Sequence, residues 1–317
     1  MEENEDNFDV NKHLTIAIFT SPIKSNPSTC IIMEMIDSMF QTEALRECKN
    51  IFVYCDGYLV TEKKEEFKLG KISQTTAENY EGFIAELEKK TGEEKYKNIK
   101  ICRQKQRNGF AENVRMALGE MKTEIVFIAQ HDYLFQTCFD AKKVVLQMTK
   151  FPELNYVGLT ATSTTGLSTW LPSLFPKFWT DLKEHLEDPQ LNAEKLKEHF
   201  KRVYGLPLLP LPFFYDKPHF ANVSYYRSIF GVHHKVFHEG KQVLSVKVSN
   251  FIEDTLGNVI RRDFKLNGLE AFLKYKTFIL VDTDNTEDFK DKSKVILSHT
   301  DGRKFLTQTQ KKEIFNL

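Results

Sequence analysis

The sequence lacks any charge imbalance. Its 44 basic and 44 acidic residues cancel, so the formal net charge of the 317 residues is +0. Proteins that bind nucleic acids generally present a basic surface to the phosphates. We therefore expect a small-molecule ligand and no nucleic-acid partner.

Long apolar runs are also absent. The longest candidate, residues 206–215, is interrupted by Pro207, Pro210 and Pro212, whereas a membrane helix needs about 18 apolar residues or more. Residues 1–12 are acidic and contain few apolar side chains, which predicts a flexible tail and not a secretion signal. We expect a soluble, cytoplasmic protein without an integral membrane segment.

Cysteine is scarce and follows no pattern. Cys30, Cys48, Cys55, Cys102 and Cys138 are odd in number and include no C-x-x-C pair. This predicts buried free thiols in a reducing compartment, and it disfavours a disulfide framework or a zinc site.

Several catalytic fingerprints are missing. No G-x-G occurs, which disfavours a Rossmann dinucleotide site, and Gly70-Lys71 lacks the upstream glycine of a P-loop. There is no G-x-S-x-G, and His238 is not followed by the second histidine of a zinc protease. His234 and His238 have the spacing of a metal pair on a helix, but without an obvious third ligand we expect ordinary surface or core histidines.

The first half of the chain alternates strands with helices. Compact apolar runs predict strands at residues 14–19, 51–55, 99–103 and 125–129, and the segments between them predict helices at 27–40, 76–91 and 109–121. Pro27 is placed at the first position of the first helix. Such alternation implies crossover connections and parallel pairing. We predict an α/β fold with a mostly parallel sheet flanked by helices.

The second half has a looser pattern. We predict helices at 142–148, 181–203 and 252–262, strands at 156–160, 277–281 and 295–298, and an irregular aromatic segment at 166–179.

Polar residues follow three of the predicted strands at the point where each strand ends. They are Thr20-Ser21-Pro22, Asp56-Gly57 and Gln130-His131-Asp132. Ligands of open α/β sheets bind beyond the carboxyl ends of parallel strands. A histidine and an aspartate in that place suit a metal ion with a phosphorylated ligand. A polar strand end closed by an Asx turn is the alternative.

This order of strands and motifs resembles the nucleotide-binding half of GT-A-fold glycosyltransferases, especially the inverting family-2-like group. The resemblance covers residues 14–140, and the remainder matches only in fragments. It implies a GT-A-like fold with a C-terminal acceptor-side subregion, and a nucleotide-sugar donor.

The resemblance implies that Asp56 holds the nucleobase by accepting its ring N–H. Thr20, Ser21 and Pro22 are expected beside it, as nucleotide-binding residues. Arg115 lies one place from an arginine that family members often carry, so we expect it to contact the nucleotide. An exposed helical arginine is the alternative.

The family's Asp-X-Asp motif takes the form Gln130-His131-Asp132 here. Gln130 can bind a ribose hydroxyl but brings no charge to a metal, so Asp132 is implied to be the main ligand of Mn²⁺ or Mg²⁺. An inward-pointing His131 would favour Mn²⁺. His299 is a further expected ligand, and Arg303 is expected near the diphosphate; a plain Asp-Gly turn is the alternative for that segment.

The acceptor side is expected in the second half. Glu253-Asp254 resembles the acidic region in which inverting family members place their general base, and Asp254 is the residue that carries over, with Glu253 next to it. An acidic pair that only compensates a helix dipole is the alternative.

A polar and aromatic segment offers His219 and Asn222 for acceptor binding, and Trp170 is expected in an acceptor-cleft lid. Packed aromatic residues explain the same segment almost as well. Core packing is the alternative for Trp170.

We thus expect a metal-assisted glycosyltransferase that uses a UDP or GDP sugar, transfers to a hydroxyl acceptor such as a glycan, and inverts the anomeric centre. Residues 13–150 are expected to bind the nucleotide sugar, and residues 151–317 to supply the acceptor site and the base. Two alternatives stay open. One is a sugar-nucleotide nucleotidyltransferase, and the other is a catalytically silent relative that binds nucleotide or glycan.

Overall fold

The computed structural model describes residues 5, 7–161, 164, 166–281 and 295–300. Its strands, in chain order, are β1 (Leu14–Thr20), β2 (Ile51–Cys55), β3 (Leu59–Val60), β4 (Lys71–Ile72), β5 (Ile99–Arg103), β6 (Ile125–Gln130), β7 (Tyr133–Phe135), β8 (Tyr156–Leu159), β9 (Leu208–Pro210), β10 (His219–Asn222), β11 (His233–His238), β12 (Lys241–Lys247), β13 (Thr277–Leu280) and β14 (Leu297–His299).

Eight of these strands form one central sheet in the order β5-β2-β1-β6-β10-β8-β13-β9. Neighbouring strands pair in parallel except at β10, which is antiparallel to β6 and β8, and at β9, which is antiparallel to β13. Six strands therefore run in one direction and two run against it. The predicted α/β class with a mostly parallel sheet is confirmed.

Helices flank this sheet. They are α1 (Val10–His13), α2 (Cys30–Met39), α3 (Glu43–Arg46), α4 (Gln74–Thr91), α5 (Phe110–Glu120), α6 (Ala141–Lys150), α7 (Leu167–Leu174), α8 (Pro176–His185), α9 (Ala193–Tyr204), α10 (Val223–Ser228), α11 (Asn258–Asn267) and α12 (Leu269–Tyr275). Among the residues described, none of these helices combines the length and the apolar character that crossing a bilayer requires.

The middle strands are continuous apolar runs because both of their faces are covered. All seven residues of β1 are buried, as are all residues of β6 except Gln130. Parallel strands buried on both faces have this composition, whereas half-exposed strands alternate apolar and polar residues. The four strands of the first half that enter the central sheet, β1, β2, β5 and β6, were therefore predicted, whereas the short strands β3, β4 and β7 were not.

The two halves of the chain share the central sheet. Strands β5, β2, β1 and β6 come from the first half and β10, β8, β13 and β9 from the second. At the predicted tail, Phe8 and Val10 are buried and helix α1 begins at Val10, so the described end of that segment packs on the core.

Three predicted elements differ from the structure because of local side-chain chemistry. Helix α2 begins at Cys30 and not at Pro27, since the Asn26 side chain accepts the N–H of Ile23 and closes a turn instead of capping a helix. The helix expected over 181–203 is two helices, α8 and α9, because Pro189 cannot continue α8. The segment expected to be irregular forms α7 and the start of α8.

His234 and His238 do not lie on a helix in the structure. Both residues lie on strand β11, where four residues span about 13 Å. One metal ion cannot bridge that distance, so the preference for ordinary histidines is confirmed. The His234 ring instead contacts the carbonyl of Ile229 through Nε2 at 2.8 Å.

All five cysteines are free, as predicted, but only two of them are fully buried. Burial raises the pKa of Cys48 to about 11 and that of Cys55 to about 12. Cys30 and Cys138 are exposed, which the sequence analysis did not foresee.

Aromatic rings fill the core beneath α8, α11 and α12. Phe264 is fully buried and packs against Phe178 and Phe272, with ring centroids 5.2 and 6.2 Å away. Replacing it removes a large apolar side chain where neighbours cannot fully close the gap.

We expect Phe264→Ala to lower the free energy of unfolding by about 3–5 kcal/mol, because it loses transfer energy and leaves a cavity. Urea unfolding followed by circular dichroism measures it. Phe237→Ala is the matched control, since this ring is 51% exposed, and it should change stability by less than about 0.5 kcal/mol. Equal losses in the two variants would contradict the packing described.

Candidate active site

A cavity of about 460 Å³ opens at the carboxyl ends of β1, β2 and β6. Many of the residues predicted from sequence line it together, although they are far apart in the chain: Thr20, Ser21, Pro22, Asp56, Gln130, His131, Asp132 and Asp254. Asn250 and Phe251 also line it, so the second half of the chain closes one side.

Backbone hydrogen bonds keep the carboxyl ends of β1, β2 and β6 side by side. The carbonyl of Thr20 accepts the N–H of Asp56 at 2.9 Å, and the carbonyl of Phe19 accepts the N–H of His131 at 3.3 Å. The His131 ring also contacts the Phe19 carbonyl through Nδ1, at 3.3 Å. The polar motifs that follow the strands therefore emerge side by side.

Asp56 is buried and anchors the loop before α5. Its two carboxylate oxygens accept the backbone N–H groups of Asn108 and Gly109, each at 2.9 Å. Next to it, a Cβ on Gly57 would lie 2.3 Å from the carbonyl carbon of Gln106, so only glycine fits there. Each oxygen of Asp56 retains capacity for one further hydrogen bond.

Arg107 is a cavity residue that the sequence analysis missed. Its Nη2 donates to the carbonyl of Lys68 at 3.2 Å, while its Nε is buried without a partner. The signal was available, because Arg107 lies between the end of β5 and the start of α5, the same kind of strand-end position as Asp56. A buried guanidinium donor favours an anionic or carbonyl-bearing ligand.

Asp132 and His299 meet at the rim because β14 pairs with β7, the strand that follows Asp132. Nε2 of His299 lies 3.1 Å from Oδ2 of Asp132, and Oδ1 is buried without a partner. Burial alone would raise the pKa of Asp132, but the hydrogen bond to His299 and the nearby His131 outweigh it and lower that pKa. Arg303 lies outside the described residues.

One carboxylate and one imidazole can hold a divalent cation only as part of a larger shell. Within the described ranges, no group of three or more histidine, cysteine, aspartate or glutamate side chains is arranged as a metal site. The unpartnered Oδ1 of Asp132 nevertheless fits a hard cation, since such an atom is costly to bury unless something binds it. Phosphate oxygens of a bound nucleotide would have to complete the shell.

Gln130 is turned toward the second half of the chain. Its Nε2 donates to the backbone carbonyl of Asp216 at 2.7 Å. The first position of the predicted metal motif is thus occupied by a hydrogen-bond donor, which a carboxylate could not replace in this contact.

The two acids expected near the acceptor differ in environment. They lie on a π-helical turn, Glu253–Gly257, that leads into α11. Asp254 is exposed and lines the cavity, whereas Glu253 does not line it and accepts the N–H of Asp216 at 3.3 Å. Of the two, only Asp254 is placed to meet a ligand.

His219 and Asn222 do not line the cavity. Strand β10 is inserted between β6 and β8, so His219 is fully buried, with its ring stacked on Tyr156 at 4.5 Å. Burial lowers the pKa of His219 to about 4. The Asn222 side chain caps α10 by accepting the N–H of Ser224 at 2.9 Å. The expected acceptor contacts of both residues lack support.

Trp170 and Arg115 also lie elsewhere. The Trp170 ring packs against Phe213 at 6.1 Å in the core of the second half, and so does not line the cavity. Arg115 forms an exposed ion pair with Glu112 on the same helix, with its Nε 2.8 Å from a carboxylate oxygen. The alternatives of core packing and of an exposed helical arginine describe these two residues.

We expect Asp56→Ala to lower the free energy of unfolding by about 2–4 kcal/mol, because two buried N–H groups lose their acceptor. Urea unfolding measures the loss. Asp254→Ala is the control on the same cavity, and because Asp254 is exposed the change should stay within about 0.5 kcal/mol. An Asp56→Ala protein as stable as the control would show that Asp56 does not anchor the loop.

No family model matches the chain. No curated protein matches it in sequence either.

Solved structures do match it, at low identity. A mannosyltransferase, PcManGT from Pyrobaculum calidifontis, in complex with GDP-Man and Mn²⁺, is similar over 66% of this chain and 44% of its own, with 12% identity and a TM-score of 0.36. GalNAc-T7 with UDP, GalNAc and Mn²⁺ is similar over 91% of this chain and 43% of its own, with 8% identity and a TM-score of 0.44. TarS of S. aureus is similar over 92% of this chain and 37% of its own, with 11% identity and a TM-score of 0.42.

The chain therefore spans less than half the length of each of these three proteins. At this distance, donor, metal and acceptor do not carry over from any of them to this chain.

Proposed function

We propose that the protein is a glycosyltransferase that moves a sugar from a nucleotide-sugar donor to a hydroxyl acceptor. The observation that carries this proposal is the meeting of Asp56, Asp132 and Asp254 on one cavity, although each comes from a different part of the chain. Such an arrangement supports binding of the two ends of an activated sugar, with an acid beside the reacting carbon.

The nucleotide end of the donor is proposed to lie against Asp56 and Arg107. Asp56 can accept one ring N–H of a base in addition to its loop contacts, and the unpartnered Nε of Arg107 can donate to a carbonyl or phosphate oxygen. Thr20 adds a buried hydroxyl without a partner on the same wall. A UDP or GDP sugar suits this set of donors and acceptors.

Asp132 and His299 are the residues proposed to hold Mn²⁺ or Mg²⁺, with His131 beside them. When bound, the cation supplies positive charge against the leaving diphosphate. The imidazole of His299 favours Mn²⁺ over Mg²⁺, since magnesium prefers an all-oxygen shell. With so few protein ligands, metal affinity should depend on the nucleotide.

Asp254 is proposed to act as the general base. An exposed carboxylate on the cavity wall can take the proton of an acceptor hydroxyl while that oxygen attacks the anomeric carbon from the face opposite the nucleotide, which gives inversion. Phe251 and Asn250 lie beside Asp254 and offer a ring face and an amide to an acceptor sugar. They take the place that His219, Asn222 and Trp170 were expected to fill.

A panel of UDP and GDP sugars with Mn²⁺ tests this function in the purified protein. Donor hydrolysis or transfer supports the enzyme. Binding without turnover would instead support the silent relative, and pyrophosphate release from a nucleoside triphosphate and a sugar phosphate would support the nucleotidyltransferase.

We expect Asp132→Asn to lower metal-dependent turnover at least about 100-fold, since a bound cation is worth several kcal/mol of charge stabilisation. Asp254→Asn should lower kcat by about 10²–10⁴-fold with little change in the KM for the donor, as removal of a general base does. Glu86→Gln is the matched control, because Glu86 is a half-exposed acid on α4 that does not line the cavity, and it should keep normal turnover. Wild-type rates in either active-site variant would refute the role assigned to that residue.

A further inference from the structure

A pair of acids lies next to the cavity without lining it, and it consists of the buried Asp216 and the half-buried Glu253. Asp216 precedes β10 and is 5% exposed. Its Oδ1 accepts the N–H of Glu253 at 3.2 Å, and the Asp216 N–H in turn donates to Oε2 of Glu253 at 3.3 Å. Each acid therefore binds the backbone of the other, and the pair joins two segments that are 37 residues apart.

The pair is connected to the metal motif as well. The carbonyl of Asp216 accepts the Nε2–H of Gln130 at 2.7 Å. A continuous series of hydrogen bonds thus runs from Gln130, at the end of β6, through Asp216 to Glu253. Asp254 is the next residue in the chain, and it lines the cavity.

The surrounding backbone leaves this series little freedom to shift. The Tyr156 hydroxyl donates to the carbonyl of Tyr215 at 3.1 Å. On the other side, a Cβ on Gly257 would lie 2.8 Å from the carbonyl oxygen of Phe214, so the π-helical turn packs directly on this segment. The turn that carries Asp254 is therefore set by the position of residues 214–216.

The direction in which the pKa of Asp216 shifts agrees with a structural contact. Burial, followed by the neighbouring charge of Glu253, raises the pKa of Asp216 well above its usual value. When it is protonated, this carboxyl keeps an acceptor oxygen for the Glu253 N–H and places no second negative charge beside Glu253. Asparagine has the same shape and the same acceptor.

We propose that Asp216 is a positioning residue that fixes Asp254 relative to the metal motif, by binding the backbone of Glu253 and receiving the side chain of Gln130. This inference rests on the proposed function for the role of Asp254. It also gives Gln130 a task of its own. An aspartate there is shorter and only accepts hydrogen bonds, so it would lose the contact with the Asp216 carbonyl.

The kinetic test compares Asp216→Ala, Asp216→Asn and Gln130→Asp with wild type, using the donor that the panel identifies. We expect Asp216→Ala to lower kcat about 10–100-fold with the donor KM almost unchanged, because a misplacement of about 1 Å costs that much. Asp216→Asn should stay within about 3-fold of wild type, since the acceptor for Glu253 is kept. Gln130→Asp should lower kcat and not restore a stronger metal site.

Asp263→Ala is the control for loss of a buried acid. Asp263 is 3% exposed on α11 and accepts the Tyr275 hydroxyl at 2.8 Å, away from the cavity. It should lose stability but keep kcat per folded molecule. Any one of three results would overturn the proposal. They are a loss of kcat in Asp263→Ala equal to that in Asp216→Ala, an Asp216→Asn variant as slow as Asp216→Ala, and a gain in turnover for Gln130→Asp.

Hydrogen exchange measures the positioning without any activity. In Asp216→Ala, amide exchange in residues 250–257 should rise about 10-fold relative to residues 74–91 of α4, because that turn loses its tie to the neighbouring segment. Asp263→Ala should leave this ratio unchanged. If exchange rises in Asp216→Ala but the wild-type protein transfers no sugar, the proposed function is wrong and the positioning role of Asp216 is supported. If the exchange ratio in Asp216→Ala does not change, the positioning role is refuted, whatever the turnover.

Discussion

The cavity depends on the register of three parallel strands. Strand β1 pairs with β2 on one side and with β6 on the other, and the pairing continues to the last residues of each strand. The chain leaves all three strands at the same level, so Ser21, Asp56 and His131 emerge along one edge. A slip of one residue at either pairing would turn the side chains of that strand to the other face.

The parts of the site that could be predicted from sequence are those fixed by this register. Buried parallel strands are continuous apolar runs with abrupt polar ends, and both features can be recognised without a structure. The polar motifs after β1, β2 and β6 were therefore identified in the right places. Arg107 was missed because it does not directly follow an apolar run: β5 ends at the exposed Arg103, and Arg107 lies further along the loop.

Residues from the second half could be predicted much less well, because tertiary pairing decides their environment. His219 and Asn222 were expected at a binding wall, yet antiparallel insertion of β10 into the sheet buries the first and makes the second a helix cap. Glu253 and Asp254 are adjacent in sequence, yet Glu253 binds the N–H of Asp216 whereas Asp254 lines the cavity. His299 reaches Asp132 through a strand pairing that local sequence does not encode.

Gln130 stands where the predicted metal motif usually has its first acid, so the two ends of the motif have different contacts. Asp132 is the one carboxylate of the motif, and its partner at the rim is an imidazole from the far end of the described chain. Gln130 instead donates to the second half of the chain. If Asp132 binds a cation as proposed, the first position of the predicted metal motif serves instead as a link between the two sides of the cavity.

Strand β10 lies between β6 and β8 and pairs with the edge that β6 would otherwise expose. Residues 13–150 expressed alone would leave β6 as the last strand of its sheet, with the backbone groups that now bind β10 open to solvent. Strand β6 is long for such a position and entirely apolar up to Gln130, with none of the charges or prolines by which proteins protect sheet edges. We expect such a fragment to pair with copies of itself, so the proposed nucleotide binding has to be studied in the whole chain.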